Sequence, residues 1–249
     1  MSKHTGHVIW RELMTLDLAA TERFYGGLFG WTFEAMPIPG GTYTIVKCGS
    51  GPGIAGVMQM SKDMMQGAPL WVSYTSVPDV DASCAAAKSA GAMIVHGPVS
   101  MDGVGRMATV LDADRACFAV MTPQGPDEAP GRPPLHGFCW ETLSTSDLAK
   151  AKSFYEAVCG WKQTTSPSGF AVMTAPDEAQ ICDVQKADRM PPMWLTYVVV
   201  ESVEASSAKV VELGGKVIAP RFDIPKVGAI GVVSDPLGAM IGLFVPDMA

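Results

Sequence analysis

Several things are missing from this sequence, and each absence excludes a class of function. Six cysteines are scattered along 249 residues with no Cys-x-x-Cys pair and no histidine beside them, which excludes a thiolate zinc site and a dithiol redox motif. Charged residues make up only 17% of the chain, no basic cluster occurs, and the net charge is −7 with a pI near 5.0. Nucleic acids and anionic membranes both require basic surface, so neither is expected as a partner. No stretch approaches the roughly 18 apolar residues of a membrane span. The first seven residues are followed by no apolar run of the kind a signal peptide carries, and unpaired cysteines suit a reducing compartment, so the expected location is the cytoplasm. The glycine-rich runs at 49–53 and 103–105 do not lead into a helix, which excludes a phosphate-cradling loop. No serine or cysteine has a sequence-level partner that would make it a nucleophile, and Cys84 falls in an alanine-rich helical stretch.

What the chain does have is a repeat. Trp10, Leu13, Thr15, Asp17-Leu18-Ala19, Phe24-Tyr25 and Gly30-Trp31 recur as Trp140, Leu143, Thr145, Asp147-Leu148-Ala149, Phe154-Tyr155 and Gly160-Trp161. The offset is constant at 130 residues, from Trp10 to Trp140 and from Trp31 to Trp161, without a gap. A fixed-offset match of this length marks a duplicated chain. Each copy predicts a Trp-bearing strand, an Asp-capped helix with apolar residues at helical spacing, a Gly stop, and a second strand. The Phe-Tyr pair is expected to lock the helix to the sheet.

The remainder extends this pattern. After the first strand–helix–strand, Gly40-Gly41 marks a turn, and strands follow at 42–47 and 54–60. A second unit runs from a strand at 71–77 through a helix at 79–90 to strands at 93–96, 105–111 and 117–121. Five prolines between 122 and 134 predict an extended linker and the domain boundary. The second half repeats the scheme. Trp71-Val-Ser-Tyr74 lies over Trp194-Leu-Thr-Tyr197, and the turn at Asp112 over the turn at Asp235. The expected fold is α+β, with four βαβββ units paired into two domains at 7–122 and 136–246 across a linker at 123–135.

Trp10-Arg-Glu-Leu, Asp17-Leu-Ala, Phe24-Tyr25 with Gly30-Trp31, their second copies, and the Asp235-Pro-Leu-Gly turn resemble the vicinal oxygen chelate superfamily, which includes glyoxalase I, bleomycin-resistance proteins and extradiol dioxygenases. More narrowly, the chain resembles bacterial tandem glyoxalase-like proteins, over about residues 7–246. The resemblance implies that two βαβββ units form a half-barrel around a pocket. It also implies that metal-dependent members place His, Glu or Gln at four positions lining that pocket. In this sequence those positions carry Trp10, Val72, Ala119 and, with the loosest alignment, Gly56. In the second half they carry Trp140, Leu195, Gly242 and a position near Cys182. Trp, Val, Ala and Gly offer no side-chain lone pair to a metal, so no metal and no other cofactor is expected. The histidines do not replace the ligands, because His4 and His7 belong to the N-terminus, His96 to a strand end and His136 to the linker.

Glu12 is then the candidate acid, on the same strand face as Trp10 and Met14. In an apolar cleft it would serve as a catalytic acid or base; alternatively it pairs with Arg106 as a structural ion pair. Its copy is Thr142, so the two halves are not expected to share an acid–base reaction at this position. Tyr74 and Tyr197 are candidates to orient a ligand oxygen, or are core residues. The candidate ligand-contacting set is Trp10, Met58, Trp71, Tyr74, Met101, Arg106, Trp140 and Tyr197, with methionines suiting an adaptable lining. The expected function is metal-free binding of a small hydrophobic or aromatic molecule in the first half's cleft. The alternatives are a metal-independent lyase, isomerase or hydrolase using Glu12, and a divalent-metal enzyme. A tandem chain satisfies internally the pairing that single-domain relatives make between chains, so a monomer is expected.

Overall fold

The structure, a computed structural model, describes residues 4–38, 41–64, 67–125, 131–166, 168–188 and 190–247. Gly40 of the expected turn and residues 126–130 of the proline-rich segment lie outside the described residues. Four modules follow one another, each a strand, a helix and three strands. The first is β1 (Val8–Thr15), α1 (Leu18–Phe29), β2 (Thr32–Ile38), β3 (Gly41–Lys47) and β4 (Gly53–Gln59). The second is β5 (Leu70–Ser76), α2 (Val80–Ser89), β6 (Met93–Met101), β7 (Gly105–Leu111) and β8 (Cys117–Pro123). The third is β9 (Phe138–Thr145), α3 (Leu148–Cys159), β10 (Lys162–Thr165), β11 (Ala171–Thr174) and β12 (Gln180–Lys186). The fourth is β13 (Met193–Val199), α4 (Val203–Glu212), β14 (Lys216–Ile224), β15 (Gly228–Ser234) and β16 (Met240–Pro246).

The helices start and stop where the sequence places caps. The Asp17 carboxylate accepts the Ala20 amide at 2.9 Å, and Asp147 accepts the Ala149 and Lys150 amides at 3.1 Å. Gly30 and Gly160 close α1 and α3 at φ 68° and 72°, a left-handed conformation that glycine adopts without the Cβ penalty. Two eight-stranded sheets result, in the orders β2-β3-β4-β1-β5-β8-β7-β6 and β10-β11-β12-β9-β13-β16-β15-β14. In each module the first strand runs parallel to the last, and the remaining neighbours within a module are antiparallel.

The sheets follow chain order, but the compact units do not. A terminal unit gathers residues 10–71, 132–140 and 195–249, joining most of the first and fourth modules. A middle unit gathers residues 1–9, 72–131 and 141–194, joining the second and third. Each is centred on a buried tyrosine. In the terminal unit the Tyr25 ring stacks on Trp31 at 5.6 Å and meets Trp71 edge-on at 5.5 Å. Trp71 Nε1 donates to Tyr25 Oη at 3.0 Å, and that hydroxyl donates to Asp235. The middle unit repeats the arrangement: Tyr155 stacks on Trp161 at 5.5 Å, accepts from Trp194 at 2.9 Å and donates to Asp112 at 2.9 Å. Buried aromatic rings gain from such offset and edge contacts, and each buried N–H or O–H finds a partner. Phe24 and Tyr25 are core residues, 1% and 0% exposed.

Candidate functional site

The first module arranges a polar cluster on the face of β1 turned away from α1. Strand alternation sends Leu13, Val46, Ala55 and Val57 into the core and leaves Trp10, Glu12 and Met14 on the other side. In register, Glu12 lies opposite Gly56 and Met14 opposite Met58. Tyr43, on β3, brings its hydroxyl over Gly56: a Cβ built there would lie 1.8 Å from Tyr43 Oη. Trp10 Nε1 donates to that hydroxyl at 2.9 Å, and the hydroxyl hydrogen-bonds the Glu12 carboxylate. Burial, then the neighbouring Glu12 charge, holds the Tyr43 phenol well above its usual range, so it remains a donor. The result is a relay from indole to phenol to a carboxylate that is 8% exposed. Tyr43 had no mark in the sequence beyond its place in an alternating strand, and pairing between β3 and β4 is what delivers it to Glu12.

The third module carries a related cluster. Thr142, the copy of Glu12, lies opposite Asp183, so Asp183 and not Cys182 is the counterpart of Gly56. Thr142 Oγ1 donates to Asp183 Oδ1 at 2.6 Å, and Gln185 Nε2 donates to Oδ2 at 2.6 Å. Cys182 points the other way, is fully buried in the core, and has its thiol raised chiefly by that burial. A one-residue slip reverses strand faces, which is why this acid escaped the sequence alignment.

The remaining candidates are dispersed. Trp71 is a core residue, 5% exposed, with its ring and indole N–H taken up by Tyr25. Arg106 does not pair with Glu12; it makes a two-pronged contact with Asp81, at 2.7 and 2.8 Å, on the surface of the middle unit. Tyr74 is buried and sits beside Ala119 in register. Tyr197 is buried, sits beside Gly242, and fills its space, since a Cβ there would lie 2.2 Å from the ring. Met58 and Trp140 are half-buried, and Met101 ends β6 opposite Gly105. Of the two N-terminal histidines, His4 is buried and His7 bonds Asp177 at 2.8 Å. His96 lies inside β6, which continues to Met101, and is exposed.

Other features are accounted for structurally. An open cavity of about 450 Å³ in the middle unit is lined by Asp112, Asp114, Thr145, Asp147, Lys150 and Phe154, among others. Its carboxylates serve the fold: Asp112 holds its turn, Asp114 accepts from Thr145 and Ser146, and Asp147 caps α3. Burial pushes the Cys117 thiol up to about 12, far from a reactive thiolate at neutral pH.

Donor chemistry speaks against a metal ion at the implied ligand positions. Trp10, Val72, Ala119, Trp140, Leu195 and Gly242 supply no lone pair, and the space at Gly56 and Gly242 is filled by Tyr43 and Tyr197. Asp183 is the one carboxylate gained by the corrected register, and a single carboxylate makes a poor site for a divalent ion. Among the described residues no group of three or more His, Cys, Asp or Glu side chains is placed to hold a metal. The residues present do not fit the implied metal. Among the described residues, too, no helix is long and apolar enough to cross a membrane.

The sequence model of the Glyoxalase/Bleomycin resistance protein/Dioxygenase superfamily matches residues 135–243. A Mycobacterium tuberculosis protein named "Putative glyoxylase CFP32" is 30% identical over 245 residues, covering 95% of this chain and 94% of its own length. The Anthracycline biosynthesis protein DnrV of Streptomyces peucetius is 31% identical over 256 residues, covering 94% of this chain and 91% of its own. Among solved structures, the Mn(II)-bound glyoxalase of Novosphingobium aromaticivorans superimposes with a TM-score of 0.63 at 13% identity, over 97% of this chain and 82% of that one. That likeness concerns the fold alone.

Proposed function

Since the chain belongs to the Glyoxalase/Bleomycin resistance protein/Dioxygenase superfamily, we propose that it uses this fold to bind a small apolar or aromatic molecule in its first half, without a resident metal ion. The observation that carries this reading is the relay from Trp10 through Tyr43 to Glu12. An indole and a phenol offer flat apolar surface, and the carboxylate at the end of the relay offers one directional acceptor. Met14 and Met58, paired in register beside Glu12, add polarisable surface that repacks around irregular ligands. The donor-poor residues at the implied ligand positions support a site that works without a Lewis acid. The Streptomyces relative is named for anthracycline biosynthesis, which is in keeping with a small organic ligand. Six free thiols and a net charge of −7 suit a cytoplasmic protein that engages small molecules and neither nucleic acid nor membrane.

A second reading makes Glu12 an acid or base toward the bound molecule. Its burial and its bond from Tyr43 favour it, because a carboxylate held in one orientation is positioned to exchange a proton with a ligand. Two measurements test these readings. Elemental analysis of the purified protein, before and after dialysis against divalent ions, is expected to find no stoichiometric metal; stoichiometric nickel, zinc, iron or manganese would overturn both readings in favour of a metalloenzyme. A thermal-shift screen of small aromatic compounds, repeated on Glu12→Ala, then tests the ligand. Binding that survives the substitution, with turnover abolished, assigns Glu12 to chemistry. Absence of any aromatic ligand, with Trp10→Phe giving the same screen, sinks the binding reading.

A further inference from the structure

The cavity of about 450 Å³ in the middle unit lies on the helix side of its sheet. Ala90 at the end of α2, the β7–β8 turn at 112–114, Thr145 at the end of β9 and the first turns of α3 enclose it. Thr145 shares a strand face with the core residue Leu143, the face opposite to Thr142. The volume is within the range of small-molecule sites. We propose that this cavity is a second ligand site, and that its ligand is a primary ammonium ion on a short hydrocarbon chain. The site shares no residue with the Trp10–Tyr43–Glu12 cluster and stands or falls without it.

Three observations carry the proposal. The first is the direction of the hydrogen bonding. The amides of Ser146, Ala149 and Lys150 are taken by Asp114 and Asp147, so this end of α3 presents acceptors to the cavity. Asp114 accepts from Thr145 Oγ1 and the Ser146 amide at Oδ2, and from Ser146 Oγ at Oδ1, each at 2.7 Å. Asp147 accepts both of its amide bonds at Oδ1, and its Oδ2 faces the Lys150 ammonium at 3.4 Å. An ionised carboxylate has about four acceptor sites, so Oδ1 of Asp114 and Oδ2 of Asp147 each have room for another donor. The same hydrogen bonds hold both carboxyls below the usual carboxylate range, and both are charged at neutral pH.

The second observation is the lining. Ala90, Ala113, Ala149, Ala151 and Phe154 give it an apolar wall, against which a hydrocarbon chain can lie. Three carboxylates share it with one cation, Lys150, whose side chain is 82% exposed. The third is a contrast with the terminal unit. In the alignment that lays Trp71 over Trp194, Leu213 and Leu237 stand where the middle unit has Ala90 and Asp114. Leu213 ends α4 with nearly the backbone that Ala90 has at the end of α2, φ −84° and ψ 6° against −91° and 11°. Its side chain reaches α1, where a Cβ at Gly27 would lie 2.9 Å from Leu213 Cδ2. Alanine at 90 stops at its Cβ and makes no such bridge from α2 to α3. One unit spans this place with its own leucine. The other leaves a gap with an apolar wall and a charged rim.

n-Butylammonium, n-butanol and butyrate, short chains that differ in charge, are the probes. Each is titrated at neutral pH into the isotope-labelled full chain while backbone amide shifts are followed by NMR. n-Butylammonium is expected to shift the amides of Ala90, Asp114 and Ser146 saturably. n-Butanol should bind at least about tenfold more weakly, as loss of charge-assisted hydrogen bonds implies, and butyrate should not bind. Ala90→Leu puts at this helix end the residue that the terminal unit carries on the same backbone. It is expected to abolish binding without lowering the melting temperature. Lys150→Gln, a surface change, is expected to tighten binding by removing the competing ammonium. Equal responses to the three probes, no saturable shift at the three amides, undiminished binding in Ala90→Leu, or weaker binding in Lys150→Gln would each overturn the proposal. Shifts confined to Glu12 and Tyr43 would place the amine in the first-half cluster and overturn it as well.

Discussion

The Tyr43 hydroxyl occupies the volume that a side chain at position 56 would need, and glycine at 56 is what allows Trp10 and Glu12 to share that hydroxyl. Gly56→Ala is therefore expected to push the phenol off its seat and to destabilise the protein by about 1–3 kcal/mol, the usual range for overpacking. A thermal melt would register about 2–4 °C for each kcal/mol in a chain of this size. Tyr43→Phe, which removes only the hydroxyl, should cost about 1–2 kcal/mol by depriving Trp10 of its acceptor. Because both changes act on the same atom, their effects should not add: the double variant is expected to be more stable than the sum predicts. Strict additivity would mean that the clash at Gly56 is relieved elsewhere.

Acidic pH offers a second test through Asp112. Burial raises its pKa above the usual carboxylate value, against hydrogen bonds from Tyr155 and backbone amides that lower it. A carboxyl whose folded pKa exceeds its unfolded one binds more protons when folded, so its contribution to stability grows as pH falls through that interval. Asp112→Asn has no such proton. The variant should lose more stability relative to the parent at pH 4 than at pH 7, as measured by chemical denaturation at both. A penalty that is equal at the two pH values would contradict the raised pKa.

Severing the chain within residues 126–130 gives a third prediction. Helix α1 shares its unit with α4, and α2 shares its unit with α3, so each half in isolation loses partners for both of its helices. The separate halves are expected to lack the sharp cooperative melt of the whole chain, and mixing them should recover it. A cooperative melt of either half alone would refute this.

Self-association is the fourth. Light scattering across a range of concentrations is expected to give the mass of one chain, because the tandem supplies both copies of the repeat. A stable dimer would remove that reading.

Much of the fold was legible because its signals are local. The 130-residue offset, the Asp17 and Asp147 caps and the Gly30 and Gly160 stops all appear within a few residues of one another, and each predicts what the backbone then does. The site was less legible. Whether Cys182 or Asp183 stands opposite the copy of Glu12 depends on the register of two parallel strands some forty residues apart, which no spacing rule fixes. Tyr43 reaches Glu12 through two successive strand pairings. Arg106 looked available to Glu12 and is instead held by Asp81, a residue on α2 near its N-terminus that no strand pattern would have brought to it. Trp71 combined a strand position with an aromatic ring, and that description suits a core residue as well as a ligand contact.

Duplication ordinarily leaves two descendants free to diverge, or even to be lost, one at a time. The crosswise assembly of the two units removes that freedom. Each core draws one module from either copy, so a substitution at Phe24 of the first copy must be tolerated by Gly215 of the second, where even a Cβ would come within 2.9 Å of the Phe24 ring. The copies are bound to a common history in their interiors. On the strand face turned away from those cores the copies differ in chemistry: Glu12 of the first stands where the second has Thr142, and Gly56 where the second has Asp183.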